Sequence, residues 1–107
     1  MRYRDRPRDF AYLSWICSQQ CVVCESQHVA QFNRSYAHHA GQRGLAQKAN
    51  DRTAIPLCWR HHDRNSSQSI HTLGKEFWRR FGIDRVKVIE ELNERYENER
   101  AWVREAA

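Results

Sequence analysis

The chain has 107 residues, which bounds it to one domain with a modest core. Eighteen Lys and Arg against 13 Asp and Glu give a formal charge of +5, which favours polyanionic partners; a merely soluble basic surface is the plain alternative. No apolar run approaches the roughly 18 residues of a membrane span, and Met1–Arg6 lacks the apolar centre of a signal peptide.

The expectation is therefore a cytoplasmic, reducing compartment, where C-x-x-C pairs favour zinc over disulfides. Residues 1–8 read as a loose basic arm. Pro7 and Asp9 suit the start of a helix over 9–20, whose face carries Phe10, Leu13, Ile16 and a small, buried Cys17. Cys21–Ser26 is short enough for a metal knuckle, and His28–Phe32 reads as a brief strand. Tyr36–Gly41 is an extended segment carrying His38-His39. Thr53–Leu57 is β-branched and apolar, a strand that Pro56 restricts to an edge or terminal position. A helix should open at His61, with Asn65–Ser69 interrupting it. Lys75–Phe81 reads as a short helix ended by Gly82. Asp84 caps a final helix over 84–105, with a stripe through Val88 or Ile89, Leu92, Tyr96 and Val103. The fold class is α+β, a single domain whose residues 21–82 form the metal-bearing core.

The chemistry is concentrated in that core. Cys21, Cys24, His38, His39, Cys58, His61 and His62 fall within 42 positions, too many donors for one ion. Cys21-x2-Cys24 and Cys58-x2-His61 place two donors on each of two turns, as a closed structural zinc requires. The 33 residues between the pairs are too many for a C2H2 finger and suit a clasp over an inserted loop. Adjacent helical residues point about 100° apart, so His62 can serve a second site while His61 serves the zinc. In an extended segment His38 and His39 point to opposite faces. One can join His62 at an open metal, and the other can act as a general base near neutral pH.

Four stretches carry a resemblance: C-V-V-C at 21–24, A-H-H at 37–39, I-P-L-C-W-R-H-H at 55–62 and I-H-T-L-G at 70–74. Together they resemble an HNH endonuclease of the ββα-metal superfamily, most similar to small phage and prophage HNH proteins that include recombination-associated nucleases of the Ref type. R-P-R-D-F-A-Y-L-S-W at 6–15 also resembles their lead-in, so about three quarters of the chain is covered. The resemblance implies hydrolysis of DNA phosphodiester bonds. It gives His39 the role of general base, and His38 and His62 that of ligands to a catalytic divalent metal. His61 stands in for the usual second cysteine of the structural zinc. His38 sits where many HNH proteins have Asp, which shifts preference from Mg2+ towards Mn2+, Ni2+ or Zn2+. Thr53 occupies the commonest place of the middle Asn, so Asp51 or Asn50 is the candidate for its orienting role. His71 is a third ligand only if the serine-rich break loops back; otherwise it is an ordinary loop histidine. His28 has no counterpart.

Arg34, Arg43, Lys48, Arg52, Arg60 and Arg64 lie in or beside the site loop and suit phosphate contacts to single- or double-stranded DNA. Trp59 suits either a stack on a base or a place in the core, and the core is the expectation. The final helix, rich in Glu, suits the core or a protein partner such as a recombinase better than DNA. Two readings therefore compete with the nuclease. One is a zinc-stabilised nucleic-acid-binding or recombination-accessory module without catalysis, and the other is a partner-recruiting domain.

Overall fold

The computed structural model describes residues 8–41 and 50–106. The arm at 1–7 and the candidate phosphate contacts Arg43 and Lys48 lie outside the described residues. Asp9 starts helix α1 (Phe10–Cys17): its side chain accepts from the Tyr12 N–H at 3.1 Å and its carbonyl from Leu13. The helix buries Tyr12 and Ile16, with Leu13 packed beside them. Phe10 and Cys17, expected on that face, are exposed instead. The buried stripe is the i, i+4 pair 12 and 16, and residues 10 and 17 fall outside it.

The expected knuckle at Cys21 is a one-and-a-half-turn helix, α2 (Val22–Gln27). His28 then takes left-handed backbone, φ 56°, and ends it. The Val29 N–H bonds the Cys24 carbonyl and the His28 N–H bonds that of Glu25, a paired helix stop. This reversal prevents a strand over His28–Phe32, and the chain extends only at β1 (Ser35–His39). After a 3-10 turn (Asp51–Thr53), β2 (Ala54–Cys58) pairs antiparallel with β1, with Ser35 opposite Cys58 and His39 opposite Ala54. Two strands leave each an outer edge, so Pro56 opposite Ala37 costs no essential ladder bond. All five residues of β2 are buried, because α1, α2, α3 and α6 pack against it. Its sequence accordingly reads as a continuous apolar run.

Three short helices follow: α3 (Trp59–His62), α4 (Ile70–Leu73) and α5 (Glu76–Arg80). Trp59 is 41% exposed, against the expectation that it fills the core. Phe77 takes that place, fully buried and edge-on to Phe81. Asp84 Oδ1 accepts from the Lys87 N–H at 3.2 Å and opens α6 (Arg85–Ala106). Leu92 and Tyr96 anchor α6 on the core, but Val103 is exposed, so the expected stripe ends at Tyr96. The observed architecture is thus a small α+β unit of one two-stranded sheet and surrounding helices.

One cation ties three of these elements together. Arg52 lies over the rings of Tyr12 and Tyr96, at 4.8 and 5.0 Å from their centroids. Its Nε donates to Asp9 Oδ2 and its Nη1 to Glu97 Oε1, at 2.8 and 2.9 Å. Arg52, expected at DNA phosphates, has its guanidinium engaged in bracing α1, the 3-10 turn and α6.

Candidate metal centres

Cys21 and Cys24 occupy the cap and third position of α2, and Cys58 and His61 the same two positions of α3. Each pair therefore sits on one side of a first helical turn, and the sheet brings the two turns together. The four donors are 0–3% exposed. The His61 Nδ1 lies 3.3, 3.5 and 3.8 Å from the sulfurs of Cys58, Cys21 and Cys24, and the Cys24 and Cys58 sulfurs are 3.7 Å apart. A tetrahedral zinc with ordinary bond lengths needs about 3.6 Å between nitrogen and sulfur and about 3.8 Å between sulfurs. The observed edges match it. Burial pushes the Cys21 thiol up, and burial with the neighbouring thiols pushes Cys24 up to about 12. Burial, with Arg60 nearby, holds His61 below its usual value and so in the neutral form that ligates. Buried thiolates need a cation to offset their charge, and this Cys3His set could hold a structural ion such as Zn2+.

A second group, His38 from β1, His62 from α3 and His71 from α4, brings its donor nitrogens within 4.8 Å of one another. His71 arrives because the serine-rich segment folds back. Ser66 Oγ donates to the Arg60 carbonyl, Thr72 Oγ1 donates to the Ser66 carbonyl at 2.8 Å, and Ser69 caps α4 through the Thr72 N–H. His38 and His62 are half-buried and His71 is exposed, so this site opens to solvent where the first is closed. Burial, then the adjacent His71, holds His62 below its usual value against the opposing effect of Asp63. The Tyr36 ring stacks on His62 at 5.7 Å and 13°, bracing the imidazole from the same strand face that carries His38. Three imidazoles without a carboxylate favour a borderline ion over Mg2+.

His39 faces away from that cluster. Its Nε2 is 2.8 Å from Asp51 Oδ1, while Asp51 Oδ2 accepts from the Asp9 N–H at 2.9 Å and from Arg8 Nε at 3.3 Å. Burial opposes ionisation of Asp51, but these donors outweigh it and hold the carboxyl below the usual range. A carboxylate only accepts, so in the neutral ring Nε2 carries the proton and Nδ1 keeps its lone pair. Of the two candidates for orienting His39, Asp51 makes the contact and Asn50 does not. Asn50 Oδ1 is turned to the Arg52 N–H at 2.8 Å, capping the 3-10 turn.

Among the candidate phosphate contacts, Arg34, Arg60 and Arg64 are exposed around the histidines, with Arg34 5.1 Å over the Tyr36 ring. Two braces escaped the sequence reading. Tyr36 carries a signal, two residues before His38 on a strand. Gln31 carries none: it accepts from the Cys21 N–H at 2.7 Å and donates to the Asn33 carbonyl and Ser35 Oγ, fixing the loop behind the clasp.

No described helix is long and apolar enough to cross a membrane. Among curated proteins and solved structures, nothing matches the chain. A family model described as a protein of unknown function, DUF968, matches residues 3–97. With most of its length so matched, the chain belongs to the DUF968 family.

Proposed function

We propose that the protein is a metal-dependent endonuclease of HNH type that hydrolyses DNA phosphodiester bonds. The observation that carries this reading is the convergence of His38 from β1, His62 from α3 and His71 from α4, with the His39–Asp51 pair one residue further along β1 and the Cys3His clasp sharing α3. Each group then has one task. His39 takes a proton from water at Nδ1, and Asp51 fixes its tautomer and steadies the imidazolium that results. His38, His62 and His71 would hold a divalent ion, which supplies Lewis-acid stabilisation of charge on the phosphate and leaving oxygen. Arg34, Arg60 and Arg64 position the backbone on either side without reading sequence. The clasp contributes by fixing α3, since His61 and His62 are consecutive.

A nicking assay on supercoiled plasmid and on a single-stranded DNA circle tests the proposal, with zinc content measured beforehand. The zinc-loaded protein should nick only after Mn2+, Ni2+, Zn2+ or Mg2+ is added. His39→Ala should lose nicking while keeping about one tightly held zinc. Undiminished nicking by His39→Ala would remove His39 as the base. Absence of nicking of either substrate with every metal, despite DNA binding, would make the protein a zinc-stabilised binding or recombination-accessory module instead.

A further inference from the structure

Of the large apolar side chains left at the surface, Phe32 is 84% exposed and Trp59 41%, and these two lie at the fold's strand–helix end. They are neighbours across the fold. Asn33 Oδ1 accepts from the Trp59 N–H at 3.2 Å, and Ser35 opposite Cys58 puts both aromatics at one end of the sheet. Acid is sparse along these segments: residues 26–41 and 52–62 contain no Asp or Glu, with Asp63 one turn beyond Trp59, while the exposed Arg34 and Arg60 flank the two rings in sequence. From this end the same strand leads to the histidines, through Arg34 over Tyr36 and Tyr36 stacked on His62.

We infer that the DNA taken by this site is single-stranded, with Phe32 and Trp59 stacking its bases and Arg34 and Arg60 holding its phosphates. The inference rests on the nuclease reading for the identity of the polymer and adds the state of its bases. A duplex offers phosphates to the arginines but hides its base faces. Exposed aromatic rings among cations gain contact only when the bases are unstacked, and each stacked base then adds affinity with little regard to sequence. An apolar protein partner would use the two rings but would leave Arg34 and Arg60 facing no opposite charge.

Fluorescence anisotropy on the full-length, zinc-loaded protein, without added divalent metal, separates these possibilities. The probes are a labelled oligothymidine and the matching oligothymidine–oligoadenine duplex. The single strand should bind about tenfold tighter or better. Phe32→Ala and Trp59→Ala should each weaken it about 5- to 150-fold, while Trp59→Phe retains most of the affinity. Duplex binding should change less than about twofold. Both side chains are exposed, so zinc content and circular dichroism should not move. Tighter duplex binding, or equal losses on both probes, would overturn the inference and leave the nuclease reading standing. Binding to neither probe would overturn both. Unchanged single-strand affinity in the Phe32→Ala, Trp59→Ala double variant would overturn the stacking role and assign the rings to protein contact.

Discussion

Replacing Asp51 separates its effect on stability from its effect on chemistry. The carboxylate is 8% exposed and makes two short bonds, to the Asp9 N–H and His39 Nε2, besides the longer one to Arg8. Hydrogen bonds to a charged group contribute about 1.5–3 kcal/mol each, and the Arg8 pair, 44% exposed on the arginine side, adds at most about 1 kcal/mol. Relief of the carboxylate's own desolvation offsets part of this. Asp51→Ala should therefore cost about 2–4 kcal/mol, or roughly 10–25 °C in Tm for a chain of this size. Asp51→Asn should cost less, about 1–2 kcal/mol, because its carbonyl still accepts from the Asp9 N–H. Its amide nitrogen, however, presents a donor to His39 Nε2. The ring then carries its proton on Nδ1, and nicking should fall about 10²- to 10⁴-fold. Thermal denaturation and single-turnover nicking on the same preparations provide the readouts. Nicking by Asp51→Asn at the wild-type rate, or an unchanged Tm in Asp51→Ala, would refute the reasoning. The pH dependence has a definite sign. The folded carboxyl lies below its ordinary range. Its stabilisation is therefore complete above about pH 5 and lost as pH falls through the lowered folded value, so the gap between wild type and Asp51→Ala should close on the acid side.

Three other perturbations have clear expectations. Cys58→Ser should lose the tightly held zinc and with it the cooperative thermal transition, read by metal analysis and calorimetry. His71→Ala should keep that zinc but weaken binding of a second ion at least tenfold, measured by titration calorimetry with Ni2+ or Mn2+. Tyr12→Phe should be neutral or stabilising by up to about 1 kcal/mol in chemical denaturation. The Tyr12 hydroxyl is buried without a hydrogen-bond partner among the described residues, and burial raises its pKa to about 12.

The donor clusters were the most legible part of this sequence, because a closed four-donor site imposes short spacings. Cys21-x2-Cys24 and Cys58-x2-His61 needed only the knowledge that a cap and the third helical residue lie side by side. His62 followed from its helical offset to His61. His71 did not follow, since its approach depends on Ser66, Ser69 and Thr72 bonding across a loop whose composition announces only a break. Asn50 and Asp51 were indistinguishable for a similar reason: neighbours in a 3-10 turn face different ways, and only the partner elements decide which one meets His39. Periodicity misplaced Phe10, Cys17 and Val103 because short helices and a projecting helix end bury narrow stripes. Arg52 looked like its neighbouring arginines until Asp9, Glu97 and two tyrosine rings claimed it.

His61 and His62 share one turn of α3 yet belong to different donor groups. That adjacency couples the two groups through one short turn: a load taken up at Cys58 and His61 is felt one residue later at His62, beside the Ser66 and Tyr36 contacts that already steady α3. An ion seated in the clasp would therefore stiffen the open group, and stripping it would loosen that group without touching any of its three imidazoles.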